Sequence, residues 1–321
     1  MKILRRSCFV GKSNSEYPET GGLPVRRQNK LTRFGRTYGM GLLFAGPFLI
    51  LFFLFTVLPV LNAVWLSLTD YDTIREARFI GIENYRQLFM NDEVFLKALR
   101  NTLLFAVIVG PLTYILSFLM AWVINGLKGK NAFALAFYAP SITSATAMSV
   151  VWLYFFSPDR YGLINNWLYG MGLITTPVLW TSDYRFVLPV VMLVSVWMGM
   201  GSGFLVFLAG FQNASQELND AASVDGVGNR FQQLWYVTLP QMKPQLLFGA
   251  INAVSGAMGV FDVAVSIAGM PSPNYAAHTI VTHLYDYAFI RFEMGYACAV
   301  AVVLFVLTYA IGKICMRALR E

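Results

Sequence analysis

Asp262 lies in an otherwise apolar stretch with Asn252, Ser255, Gly256, Gly259 and Ser266, spaced so that all six fall on one helical face. An aspartate near the middle of a lipid-facing helix costs about 2.5–3.5 kcal/mol, so Asp262 has to face a water-filled path or a partner helix. We read the stripe as lining a path. A second concentration of chemistry is Glu217 to Pro244, ELNDAASVDGVGNRFQQLWYVTLPQMKP, which follows 31 uncharged residues, Phe186 to Gln216. Its carboxylates Glu217, Asp220 and Asp225 can grip a partner but form no persuasive catalytic pair. Gly11-Lys12-Ser13 has the ending of a phosphate loop, yet Arg6 stands where its first glycine belongs, so this chain does not cradle ATP by that route. His278 and His283 have no carboxylate or cysteine grouping around them and read as a solvated or hydrogen-bonded pair. Cys8, Cys298 and Cys315 lack metal-ligand spacing and read as free thiols. With no nucleophile motif either, the chain is expected to be no enzyme and to hold no cofactor or metal.

The elements that position these groups follow from composition. The 321 residues are 57% hydrophobic and only 13% charged, which marks a multi-pass membrane protein. Uncharged runs of the ~20 residues that a crossing helix needs give six spans. They are expected at about 40–62, 101–127, 132–156, 186–211, 246–268 and 294–316. The run 161–182 is rejected as a seventh because of its glycines, asparagines and Pro177. Six spans put 1–38, the 128–131 turn, a loop at 212–245 and the C-terminus on one side. That side carries sixteen of the 24 basic residues, while ten acidic residues fall in 70–100, 157–185 and 269–293. The positive-inside rule therefore predicts both termini and the 212–245 loop in the cytoplasm, with the other three segments external. Residues 1–38 read as a basic flexible arm lying on lipid headgroups, ahead of a membrane domain at 39–321. The net charge of +7 clusters beside spans, so anionic lipid explains it better than nucleic acid does.

Within 212–245, residues 215–224 are good helix formers, with Asn213 or Ser215 as N-cap and Glu217 and Asp220 in the first turns. Gly226 and Gly228 stop that helix. A second one is expected from Arg230 to Val237, closed by Leu239-Pro240. Ala221 and Ala222 let another surface approach closely. Outside this loop, Ile82, Tyr85, Leu88 and Phe89 predict a short amphipathic helix, and Gly199, Gly201 and Gly203 predict close helix packing.

Asp220-Ala221-Ala222, Gly226 and Leu239-Pro240 resemble the EAA loop of permease subunits of bacterial binding-protein-dependent ABC importers. FIGIENYRQLF (79–89), ALRNTLLF (98–105), GLINNWL (162–168) and VTLPQMKP (237–244) resemble the sugar-transport branch, which includes maltose and glycerol-3-phosphate permeases. Two departures stand out. Asp220 replaces the usual glutamate, and ten residues rather than nine separate Gly226 from Val237, with the extra residue expected in the turn beside Gly228.

The resemblance implies an all-α type I importer permease in the bacterial cell membrane, with six transmembrane helices and a cytoplasmic coupling helix. It implies Glu217, Asp220, Ala221, Ala222, Asp225, Gly226, Leu239 and Pro240 as the ATPase-coupling set. Its partners would be a second permease, two ATPase subunits that bind the ATP, and an external solute-binding protein. The substrate implied is a sugar, and the lack of a membrane arginine cluster favours an uncharged oligosaccharide. Trp152 and Trp197 offer flat faces for sugar rings, joining Asn252, Ser255, Gly259, Asp262 and Ser266 as pathway candidates. The rival reading is an ion-coupled secondary transporter using Asp262.

Overall fold

The computed structural model describes Gly41 and residues 43–320, so the basic arm expected at 1–38 lies outside the described residues. The chain divides into two compact units at Leu58. Helix α1, Leu43–Leu66, begins in the first unit and carries a π turn at Phe53–Val57.

In the second unit, β1 (Thr69–Asp70) pairs antiparallel with β2 (Arg78–Phe79), and α2 (Glu83–Met90) follows. Helix α3 runs over Glu93–Asn125 and α4 over Lys130–Ile142, with α5 at Ala145–Phe155 and α6 at Leu163–Gly170. Helix α7, Val187–Gln212, leads into α8 (Gln216–Val224) and α9 (Arg230–Gln233). A π turn at Leu234–Thr238, α10 (Leu239–Gln241), α11 (Lys243–Met258) and α12 (Asp262–Ala268) come next. Helices α13 (Ile280–Tyr285) and α14 (Met294–Arg320) complete the chain.

Among the described residues, five helices are long and apolar enough to cross a membrane: Leu43–Leu66, Glu93–Asn125, Val187–Gln212, Lys243–Ala268 and Met294–Leu319. The bent pair α4 and α5 makes the sixth when taken as one crossing. The segment 161–182 holds only the eight-residue α6, too short to span.

Three expectations need correction. The span at 132–156 is not one helix: α4 and α5 meet at 96°, with Thr143 and Ser144 extended between them. Hydroxyls drive this break, since Ser141 and Thr143 donate to the carbonyls of Tyr138 and Ala139 just after Pro140. Helix α3 starts at Glu93 rather than 101, because Asp92 caps it by accepting the Phe95 amide at 2.7 Å. Lys97 and Arg100 ended the uncharged run without ending the helix. The span at 246–268 is interrupted at Gly259–Phe261, where Phe261 leaves helical geometry (φ −137°, ψ −65°).

Packing is closest between α3 and α7. A Cβ at Gly199 would lie 3.2 Å from Thr113 Cγ2, and one at Gly203 would lie 3.0 Å from Ser117 Oγ, so glycine permits the approach. Phe105, Val109, Val187, Val191 and Val194 form one core at this seam, while Phe204, Phe207, Phe211, Leu234 and Met242 form another nearer the polar loop.

Candidate functional site

The polar loop has the architecture of a rod and a turn. Ser215 caps α8, its Oγ accepting the Leu218 amide at 3.4 Å. Helix α8 buries no residue, leaving Glu217, Asp220 and Ala221 exposed and Ala222 half-buried. Its end is a Schellman motif: the Val227 amide bonds Ala222 O at 3.0 Å and the Gly226 amide bonds Ser223 O at 3.4 Å. Gly226 has φ +93°, the left-handed geometry this motif demands, and Asp225 beside it is exposed. Asn229 Oδ1 then accepts the Phe231 amide at 3.2 Å and starts α9.

The expected stop at Leu239-Pro240 does not occur. The helix passes through the π turn, where the Leu239 amide reaches back five residues to Leu234 O, and breaks only at Met242 (φ −88°, ψ 7°). Pro240 sits in the first turn of α10, the position where a helix tolerates a missing amide proton. The wider turn uses one residue more than an α turn, so it accommodates the extra residue within the helix as well as the turn beside Gly228 could.

Two residues that sequence reasoning passed over fasten this loop. Gln241 Oε1 accepts the Ser215 amide at 3.0 Å while its Nε2 donates to Val237 O at 3.1 Å, joining the start of α8 to the returning chain. The Arg230 guanidinium packs on Gly126 at the C-terminus of α3. Only the folded loop brings these partners together.

Farther into the helices is a cavity of about 300 Å³ between α3, α7 and α11. Helix α3 contributes Phe105, Val109, Thr113, Tyr114 and Ser117, α7 contributes Ser195, Met198, Gly199, Ser202, Gly203 and Phe207, and α11 contributes Gly249, Asn252, Ala253, Gly256 and Ala257. Val260 and Val263 close one side. No lining residue carries a formal charge at neutral pH. The hydroxyls of Thr113 and Ser195 are buried without a hydrogen-bond partner, so each is free to meet a water or a ligand hydroxyl.

The predicted pathway residues divide. Asn252 lines this cavity together with its stripe neighbour Gly256. Ser255 instead borders a groove with Thr308 and Tyr309 of α14. Gly259 ends α11, Asp262 is exposed at the start of α12, and Ser266 is half-buried on that helix. The stripe is not one continuous face, because the break at Gly259–Phe261 resets the helical register. Trp152 and Trp197 pack edge to face at 5.3 Å within an aromatic cluster that includes Phe155 and Phe156, apart from the cavity lining. Thr113 and Ser117 on α3 went unnoticed although their four-residue spacing among apolar neighbours is itself a polar stripe.

The opposite end of α3 carries a buried polar cluster. Asp92 Oδ2 accepts from Tyr296 at 2.7 Å and Tyr287 at 3.1 Å, and His283 Nε2 lies 3.3 Å away. His278 packs edge to face on His283 at 5.5 Å. The expectation of a solvated pair with no carboxylate near it is corrected here: both histidines are buried, and His283 lies against the Asp92 carboxylate. Burial works to raise the Asp92 carboxyl, but the adjacent His283, the Phe95 amide and the Tyr296 hydroxyl outweigh it and hold it well below the ordinary carboxylate range. Burial, with His283 alongside, pulls His278 from 6.5 down to about 4. Burial and then the Asp92 charge push Tyr287 up to about 12.

A histidine whose folded pKa is depressed binds its proton more readily in the unfolded chain. Its stabilising contribution is complete above 6.5 and is lost as pH falls from there toward 4. Asp92, also depressed, loses its contribution only below its unfolded value of 3.8. The thermal unfolding midpoint of the detergent-solubilised protein is therefore expected to drop between pH 7 and pH 5, and His278→Gln should flatten that slope whatever it does to the midpoint at pH 7. An equal slope in the variant would contradict this assignment.

Loops at that end are held by amides. Asn84 Nδ2 donates to Ser67 O and Thr69 O, each at 2.9 Å, and Asn101 Nδ2 donates to Tyr275 O at 3.2 Å and His278 O at 2.9 Å. Asn165, within GLINNWL, donates to the carbonyls of Ser157, Asp159 and Val178 and accepts from the Val178 amide and Trp180 Nε1.

Comparison with known proteins fits this geometry. Residues 113–320, which include the α7 and α11 walls of the cavity and the whole polar loop, match the family described as "Binding-protein-dependent transport system inner membrane component". The chain is 34% identical to the probable ABC transporter permease protein YesP of Bacillus subtilis, covering 83% of this chain and 86% of that one. It is 30% identical to the diacetylchitobiose uptake system permease protein NgcF of Streptomyces coelicolor, covering 95% and 89%. In fold it resembles a chain of a bacterial ABC transporter involved in import of the acidic polysaccharide alginate, with a TM-score of 0.75 at 22% identity over 91% of this chain and 99% of that one. The chain belongs to the inner-membrane components of binding-protein-dependent transport systems, and it is a transport subunit rather than an enzyme.

Proposed function

We propose that this chain forms half of the translocation pathway of an ATP-driven importer of an uncharged oligosaccharide. The observation that carries this reading is the cavity between α3, α7 and α11, polar through Thr113, Ser195, Ser202 and Asn252 yet without a charged side chain. Hydroxyl and amide groups suit neutral sugar hydroxyls, and a carboxylate or phosphate would enter there without a counter-charge. Relatives named for diacetylchitobiose in Streptomyces coelicolor, lactose in Rhizobium radiobacter and arabinooligosaccharides in Bacillus subtilis support the sugar class. A second permease closes the other side of the path, an external binding protein delivers the solute, and two ATPase subunits bind the ATP and grip the 212–245 loop. Both termini and that loop lie in the cytoplasm, as the charge asymmetry requires. Glu217, Asp220 and Asp225 give the exposed face of α8 an acidic character that suits a basic cleft on the ATPase.

The ion-coupled alternative has less support, because Asp262 is exposed on this chain and does not line the cavity. A place for Asp262, Trp152 or Trp197 in the pathway needs the facing permease to complete it. The test is isolation from the native membrane followed by uptake. An ATPase and a second permease should co-purify with the chain. Uptake by the reconstituted complex should need ATP and be competed by neutral oligosaccharides but not by uronate oligomers. A lone chain, or uptake that follows an ion gradient, would overturn the proposal.

A further inference from the structure

We infer that Arg230 is the positioning residue through which motion of the coupling loop reaches α3, an inference that rests on the coupling role proposed above. The loop is covalently continuous with α7 and α11, which lie on either side of it in the chain, but not with α3. Helix α3 nonetheless provides one wall of the cavity, from Phe105 to Ser117. Helix α3 can follow a movement that begins at α8 only through contacts in space, among them its close packing on α7.

Arg230 adds a direct contact from the loop to the end of α3. A Cβ built on Gly126 would lie 2.9 Å from Arg230 Nη1, so the guanidinium rests directly on the residue that caps α3. The C-terminus of a 33-residue helix carries negative partial charge and attracts a cation there. Among the described residues no carboxylate lies within ion-pair distance of Arg230, so that helix end is the partner its charge has. Gly126 leaves room for this close approach, and a Cβ there would make the end of the arginine side chain shift. Arg230 and Gly126 also border a polar cavity of about 200 Å³ together with Asn125 and Asn219, which gives the side chain room to follow a shift of α8. Gln241 ties the loop only to α10 and the start of α8, so it cannot replace Arg230 in this link.

The test uses the isolated complex with the native cysteines replaced by serine and a single reporter cysteine placed in the cavity. Thr113→Cys reports on α3, and Asn252→Cys reports on α11, which stays covalently tied to the loop. The rate of maleimide labelling is measured with and without ATP plus orthovanadate. With Arg230 present, both rates should change on trapping by about fivefold or more, the scale of a typical coupling between sites. In Arg230→Ala the Thr113→Cys response should shrink severalfold, the remainder being carried by the α3–α7 seam, while the Asn252→Cys response persists. Arg230→Lys should restore part of the Thr113→Cys response, and Gly126→Ala, which only displaces the end of the side chain, should have a smaller effect and add nothing in the double variant. The inference is overturned if the Thr113→Cys response is undiminished in Arg230→Ala, or if both reporters fall silent together. Silence of both reporters with Arg230 intact would instead refute the ATP-coupling reading itself.

Discussion

Gly226→Asp is expected to lower ATP-dependent uptake by reconstituted vesicles about tenfold or more while the chain remains in the membrane, because the Schellman turn that ends α8 takes a charged L residue only with strain and repulsion. At φ +93° an L residue is strained by roughly 1–2 kcal/mol, enough to unwind an exposed helix end that buries nothing. The aspartate also adds negative charge beside Asp225 at the negative end of the helix dipole. No neighbour lies within 4 Å of a Cβ at this position, so the effect arises from backbone conformation rather than collision. Two companions isolate that cause. Gly226→Asn should retain most uptake, because asparagine tolerates left-handed geometry as aspartate does and adds no charge beside Asp225. Gly228→Ala should be nearly silent, because Gly228 has open space and no positive φ. Co-isolation of the ATPase should track uptake across the three variants. Equal behaviour of Gly226→Asp and Gly228→Ala would remove the turn from the mechanism.

Gly256→Trp should block the path without unfolding the protein. Gly256 lines the cavity, and a Cβ there meets nothing within 4 Å, so an indole has space to enter from α11 without displacing the core. Filling a cavity of about 300 Å³ with a side chain of that size leaves little room for a sugar ring. Uptake should fall about tenfold or more, equivalent to at least ~1.4 kcal/mol of lost transition-state stabilisation. The thermal midpoint should stay near its original value. Gly249→Ala provides the contrast: one turn or more away on the same helix, its Cβ would lie 2.6 Å from the Phe207 ring, so stability should fall although the added group is a single methyl. If Gly256→Trp transports normally, the cavity is not on the route.

Most of this architecture was readable from the residues. The long helices announced themselves by apolar runs, and Ser215 and Gly226 marked both ends of α8 because caps are local chemistry. What escaped depended on partners distant in the chain. Lys97 and Arg100 seemed to forbid a helix that Asp92 in fact begins. Pro240 looked like a terminator, but the π turn before it lets the helix continue. The Asn252 to Ser266 stripe assumed unbroken register, and three residues of irregular backbone at Gly259–Phe261 divide it between the cavity and other surfaces. His278 and His283 looked solvated because their cover comes partly from afar: Tyr275 and Tyr287 are close in sequence, but Phe95 of α3 and Tyr296 of α14 reach His283 only in space. Arg230 and Gln241 are ordinary polar residues until the loop folds and gives each a partner.

Asn84, Asn101 and Asn165 hold their loops through bonds between neutral amides and backbone carbonyls. Such bonds are indifferent to ionic strength, because counter-ions have no net charge to surround. The Arg230 contact at the far end is a charge meeting a dipole, and dissolved electrolyte weakens it. Raising the salt concentration should therefore loosen the Arg230 contact before it disturbs the loops that these amides hold.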